Sequence, residues 1–123
     1  MKERMERVSE LMKREVTVIL QTEIDDPLTE HITITDVEVT KDLQLARVFY
    51  SVPDDMDKED VRRALQGRAK FIRWELAKRI RIKHIPKISF REDRQEEYKQ
   101  KVDELFDRLN AEREEKKGIE NEQ

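Results

Sequence analysis

Apolar residues recur along this chain in changing rhythms, and each change marks an element. Over residues 1–24, Met5, Val8, Met12, Val16, Ile19 and Glu23 step by three or four, with Leu11 and Leu20 widening the stripe. That spacing predicts a helix with one buried face. Asp25-Asp26-Pro27 ends it, because proline cannot continue a helix and pushes the preceding residue towards extended geometry. Over residues 31–40 the period falls to two. Ile32 and Ile34 share one phase and Val37 and Val39 the other, which predicts a strand with a slip at Thr35-Asp36, either a bulge or an exposed twist. Residues 43–52 form a second strand, where Ala46, Val48, Tyr50 and Val52 alternate with Arg47, Phe49 and Ser51. The short Thr40-Lys41-Asp42 connection makes the two strands a hairpin of open turn class.

An acidic loop over residues 53–60 then leads into a long helix. Asp57 is placed to cap it, and Asp60 in the first turn suits the helix dipole. Val61, Leu65, Ala69, Ile72, Leu76 and Ile80 line its buried side. Gly67 inside it costs about 1 kcal/mol against alanine, so it marks a bend or a close approach. Ile85-Pro86 closes a link, and residues 87–91 form a third strand with Ile88 and Phe90 inward. A last helix runs over residues 93–110, opened by a capping-box pair, Asp93 and Glu96, with Tyr98, Val102, Leu105 and Leu109 as its stripe. Apolar periodicity then stops, so residues 111–123 are expected to be a charged, disordered tail and residues 1–110 the single domain. The order helix-strand-strand-helix-strand-helix predicts an α+β fold, a hairpin covered by helices on one face. The helical crossover leaves the second and third strands either parallel neighbours or separated by another strand.

Composition adds limits. With 36% hydrophobic and 45% charged residues in 123, the totals alone would suit a disordered chain, and only the periodicity argues for a small Leu, Ile and Val core. The absence of cysteine excludes disulfides and thiolate metal sites. No apolar run is long enough to span a bilayer, and the first residues hold no signal-like block, so a soluble cytoplasmic protein is expected. Catalytic constellations are missing. His31 and His84 are the only histidines, and with two glycines in all there is no phosphate-cradling loop. Asp25-Asp26 and Asp54-Asp55 read as turn and cap acids rather than metal ligands. A non-enzyme without cofactor or metal is expected.

Charge distribution changes the picture most. The net charge is -3, yet residues 62–87 hold ten Lys or Arg against one acid, Glu75, for a local +9 and a remainder of -12. Gly67, Lys70, Trp74, Lys78 and Arg81 recur every three or four positions, opposite Ile72 and Ile80. Arg63 begins that row and Arg73 flanks it. Such a face suits a polyanion met in one orientation, although a charged helix face is as often merely solvated. Trp74, the sole Trp, either stacks on an unpaired base or folds back against the first helix or the sheet. The RNA-binding candidates are Arg63, Arg68, Lys70, Arg73, Trp74, Lys78, Arg81, Lys83 and Lys87.

At this stretch the sequence resembles a known family. Ala64-Leu65-Gln66, Phe71-Ile72-Arg73, the run Glu75-Leu76-Ala77-Lys78-Arg79-Ile80-Arg81-Ile82 and Ile85-Pro86-x-Ile88-x-Phe90-x-x-Asp93 are similar to bacterial ribosome-binding factor A. So are Arg7-Val8-x-Glu10, Ile24-x-Asp26-Pro27, the hairpin run Val37-Glu38-Val39-Thr40-x-Asp42-Leu43-x-x-Ala46-Arg47-Val48, Glu97-Tyr98 and Val102-Asp103-Glu104-Leu105. The resemblance implies a type II KH-like domain, with a three-stranded mixed sheet against helices. It implies a monomeric cytoplasmic factor that binds the small ribosomal subunit and its rRNA, promotes late maturation including 5′-end processing, and supports growth in the cold. It also implies release linked to a GTPase maturation factor. One departure stands out. Where the family has an Ala-x-Gly kink before Phe-Ile-Arg, this chain has Arg68-Ala69-Lys70. Either the kink has moved to Gly67, or the helix runs on with little kink. A different class of function is a protein-interaction module that docks through Tyr98, Leu105 and Phe106. Phe106 lies beside the stripe, so its exposure together with Tyr98 would favour that class.

Overall fold

The computed structural model describes the backbone of residues 2–93 and 95–121, and the side chains of residues 4–93 and 98–115. Helix α1 (Lys2–Thr22) buries Met12, Val16, Ile19 and Leu20, the stripe its spacing predicts. Ile24 is buried from the loop beyond it. A four-residue helix, α2 (Pro27–Glu30), follows where the sequence predicts only a break. Pro27 sits in its first turn, where no hydrogen bond is lost, and Asp26 Oδ1 accepts from the Leu28 N–H at 3.0 Å. The residues that stop one helix therefore start the next.

Strands β1 (Thr33–Val39) and β2 (Leu45–Ser51) pair antiparallel, and the register shifts between Ile34 and Asp36. The slip at Thr35-Asp36 is thus a bulge. It turns Ile34 and Val37, three residues apart, to the same buried side. The Thr35 hydroxyl donates to the Asp93 carboxylate at 2.6 Å, while the Asp93 N–H donates to the Tyr50 carbonyl at 2.6 Å. One residue just past the third strand thereby ties all three strands together. The hairpin turn places Leu43 at φ 58, a left-handed conformation that ordinarily favours Gly or Asn. Side chains hold it there. The Leu45 N–H donates to Thr40 Oγ1 and the Gln44 N–H to Asp42 Oδ1, both at 3.1 Å.

Helix α3 (Lys58–Arg79) begins at the predicted cap, where Asp57 accepts from the Asp60 N–H at 3.0 Å. Val61, Leu65, Ile72 and Leu76 are buried along it, and Ile80 is buried just past its end. The helix is continuous through Gly67. A Cβ there would meet nothing within 4 Å, and no glycine among the described residues has positive φ. Gly67 therefore marks no close approach, and the helix runs on through Arg68-Ala69-Lys70.

Strand β3 (Lys87–Glu92) pairs parallel with β2, giving a mixed sheet in the order β1-β2-β3. The second and third strands are therefore parallel neighbours. Helix α1 packs on β1, α3 on β3, and α1 against α3. The core between them is mostly Ile, Val and Leu, with Met12, Ala46 and an aromatic pair, Tyr50 and Phe90, edge to face at 6.4 Å.

That compact unit ends at Asp93, and α4 (Gln95–Asn121) is a unit of its own. It continues well past residue 110, where the apolar pattern stops. The loss of a stripe removes the reason for a buried face, not for a helix. Residues 111–121 include one Ala, one Arg, two Lys and four Glu, all strong helix formers. The Asp93–Glu96 capping pair lies outside the described residues, because the Glu96 side chain is among those not described.

Candidate nucleic-acid interface

The buried face of α3 fixes what its other face shows. With Leu65, Ile72 and Leu76 inward, residues 70, 74 and 78 point to solvent. Trp74 is 58% exposed and does not fold back against α1 or the sheet. Its ring is held by its own helix neighbours. Phe71 lies at 6.2 Å with a 42° tilt, and the Lys78 ammonium sits 3.4 Å from the ring centroid.

The helix ends sooner than the row of charges implies. Ile80 turns to φ -114 and ψ 124, although its N–H still reaches the Leu76 carbonyl at 2.8 Å. Arg81 therefore lies in the link beyond α3, not on the helical row with Lys70 and Trp74. Leaving the helix at Ile80 still keeps that side chain in the core and starts the path towards buried Pro86 and β3.

The ten cations of residues 62–87 divide into two sets. Arg62 and Arg63 both pair with Glu59, Arg62 through two hydrogen bonds, and these hold the Glu59 carboxyl below its usual value. Arg68 reaches Asp26 at 3.8 Å, Lys78 pairs with Glu75 at 3.2 Å, and Arg79 meets Glu15, Glu23 and Glu75. Arg73 is half-buried, and its Nε and Nη2 donate to the Ile85 carbonyl at 3.1 and 2.9 Å. Lys70, Arg81, Lys83 and Lys87 are exposed and have no ion-pair partner among the described residues. The four uncommitted cations of the stretch thus lie in the second half of α3 (Lys70), in the link after it (Arg81 and Lys83) and at the start of β3 (Lys87).

An open cleft of about 550 Å³ runs between them, lined by Lys70, Arg73, Trp74 and Ala77 from α3 and by Ile82, Lys83, His84 and Ile85 from the link. Of the nine candidates, Lys70, Arg73, Trp74 and Lys83 meet here. Lys78 flanks it through the indole, and Arg63 and Arg68 lie further back on the helix. Ala77, Ile82, His84 and Ile85 were not singled out from sequence. Their signal exists only once the link is seen to fold back beside α3. No group of His, Asp and Glu among the described residues is arranged to hold a metal ion.

The family model of ribosome-binding factor A matches residues 4–106, nearly all of α1 to β3 and the first part of α4. The chain belongs to that family. Among solved structures it is similar to ribosome-binding factor A from Thermus thermophilus, at 23% identity and a TM-score of 0.68, over 74% of this chain and 97% of the other. It is also similar to a Thermotoga maritima protein proposed to be a ribosome-binding factor A, at 26% identity and a TM-score of 0.65, over 75% and 89%. A third match, at 25% identity, a TM-score of 0.57 and over 68% and 88%, is a homology model of the Thermus thermophilus factor fitted into an electron-microscopy map of its 30S complex. The α+β, KH-like architecture of ribosome-binding factor A is thus the fold of this chain. Its departure at residues 68–70 has a structural place. Arg68 reaches back to Asp26 beside α2, and Lys70 opens onto the cleft.

Proposed function

We propose that this member of the family is a non-enzymatic assembly factor that binds the small ribosomal subunit through its rRNA. The observation that carries this reading is the cleft where Lys70 and Lys83, free of ion-pair partners among the described residues, meet an exposed Trp74, with Arg81 and Lys87, likewise unpaired there, nearby in the chain. Free cations neutralise phosphates and release counterions, whereas paired ones must first break a bond. The 30S complex of the Thermus thermophilus relative supports the choice of partner.

On this reading the protein binds an immature rRNA conformation preferentially and so promotes late maturation, including processing of the rRNA 5′ end. It acts in the cytoplasm as a monomer, without cofactor or membrane, supports growth in the cold, and leaves the subunit with the help of a GTPase maturation factor. RNA contacts lie within residues 1–110, through Arg63, Arg68, Lys70, Arg73, Trp74, Lys78, Arg81, Lys83 and Lys87. Co-sedimentation with purified small subunits tests it. Charge reversal at Lys70, Lys78 and Arg81 should abolish the complex, and binding should weaken steeply with salt; full binding by that variant refutes the face.

A second reading has its own support. Tyr98 and Phe106 on α4 are 70% and 60% exposed, with Leu105 and Leu109 exposed beside them. An uncovered apolar stripe of this kind suits a protein partner. A Tyr98→Ser, Phe106→Ser variant that loses subunit binding while RNA affinity is kept would favour that class.

A further inference from the structure

We propose that the cleft between the second half of α3 and residues 82–85 is a subsite for one unpaired RNA base, stacked on Trp74. The proposal rests on the RNA-binding reading and specifies what the cleft takes from the RNA. Tryptophan buries most of its area in folded proteins, and here 58% stays exposed in the middle of a helix. The ring is exposed but not loose, because Phe71 tilts against it and the Lys78 ammonium rests on it. Such an indole is already positioned, so a base that stacks on it orders little new.

The rest of the cleft has the chemistry of a nucleotide. Trp74, Ala77, Ile82 and Ile85 supply apolar surface for a flat ring. Lys70 and Lys83, both exposed and without a carboxylate among the described residues, stand where the flanking phosphates would pass. His84 adds ring nitrogens able to donate to or accept from a base edge. None of the lining residues is acidic. The wall opposite α3 is anchored, since the Arg73 fork holds the Ile85 carbonyl by two hydrogen bonds and Pro86 is buried behind it. A volume of about 550 Å³ lies in the range of small-ligand sites. Duplex RNA hides its base faces in its own stack, so only an unpaired or extruded base can reach the indole.

The single Trp makes the test direct. The full chain is titrated with a short single-stranded oligoribonucleotide of mixed sequence and with the duplex of the same sequence. Trp emission reports the subsite, and anisotropy of a labelled RNA reports binding. The single strand should quench emission in step with binding, and the duplex should bind without comparable quenching. Trp74→Ala should weaken single-strand binding by about tenfold or more with the salt slope unchanged, and Trp74→Phe should recover most of it. Trp74 is exposed, so neither change should alter the melting temperature by more than a degree or two. Binding with unchanged emission, equal quenching by duplex, or wild-type affinity in Trp74→Ala each overturns the subsite while leaving the RNA-binding reading intact. Failure to bind either RNA also overturns it. The broader reading then falls only if co-sedimentation with small subunits fails too.

Discussion

The two halves of α3 carry similar positive charge and put it to different use. In the first half, Arg62 and Arg63 close on Glu59, and Arg68 turns to Asp26. In the second half Arg73, Lys78 and Arg79 are also engaged, but Lys70 opens with Lys83 of the link onto the cleft beside Trp74, and Arg81 and Lys87 face solvent without an ion-pair partner among the described residues. A charge count along the chain treats these regions alike. Glu59 reaches Arg62 and Arg63 from one turn away on the same helix, but Asp26, Glu15 and Glu23 are brought near by other parts of the chain, and only the fold supplies those. The difference is one of degree, because an exposed ion pair contributes roughly 0–1 kcal/mol and a phosphate can compete for its cation.

The sharpest way to break this comparison is to reverse charge in each half separately. Lys70→Glu with Lys83→Glu should lower affinity for small subunits at least about tenfold and flatten the salt dependence. Arg62→Glu with Arg63→Glu should change it only a few-fold. Equal losses in a filter-binding assay would show that pairing does not matter and that the whole helix face acts together.

Next in size is Arg73, which joins the halves of the cleft. Arg73→Leu removes two charge-assisted hydrogen bonds and leaves the Ile85 carbonyl unpaired, a cost of about 1–3 kcal/mol in stability. Lysine should not restore it, because one ammonium cannot reproduce the fork. Denaturant unfolding of the three proteins measures this, and a fully stable Arg73→Leu would mean that the link holds its place unaided.

A smaller effect is expected at Glu75, the one buried acid of the stretch, which lies 3.2 Å from Lys78 and 3.7 Å from Arg79. Glu75→Gln keeps the shape and removes the charge that restrains Lys78. RNA affinity should rise about two- to threefold while stability falls by about 1 kcal/mol. A fall in affinity would instead make Glu75 necessary for placing Lys78 and Trp74.

The smallest effect is a pH-dependent one in the first half. Hydrogen bonds from Arg62, with the nearby guanidinium charges, hold Glu59 below its ordinary value of 4.5. With the folded value depressed, the pair contributes fully above 4.5 and is lost only as pH falls through the lowered value. A carbon-detected titration of Glu59 should therefore show a midpoint under 4.5, moving up in Arg62→Gln. No shift in the variant would mean that Arg62 does not restrain the carboxylate.

Much of the molecule is legible from its sequence. The stripes of α1 and α3, the bulge at Thr35, the Asp57 cap and the hairpin all follow from spacing and local chemistry. The misses have specific causes. Helix α2 hides because Asp26-Pro27 is both a stop and a start. The spacing puts Arg81 on the helix because nothing local, neither Gly nor Pro, ends α3 at Arg79; the chain leaves the helix there towards Pro86 and β3. Helix α4 outruns its stripe because propensity alone carries it. At the cleft, Lys70 and Trp74 are visible as neighbours on a helical face. Ile82, His84 and Ile85 are not, since they meet that face only through the Arg73–Ile85 anchor.

By itself the sequence determined which residues are apolar in phase, and hence the elements, the core and the helix face that carries Trp74. Those depend on periodicity and on interactions a few residues long. The tertiary structure alone decided that β3 lies parallel to β2, which cations meet acids from other elements, and that a link returns beside α3 to make a cleft. Each of those depends on contacts between residues distant in the chain, such as Arg79 with Glu15 and Arg68 with Asp26. Local spacing encodes pairs within one helix, such as Glu59 with Arg62, but not these distant ones.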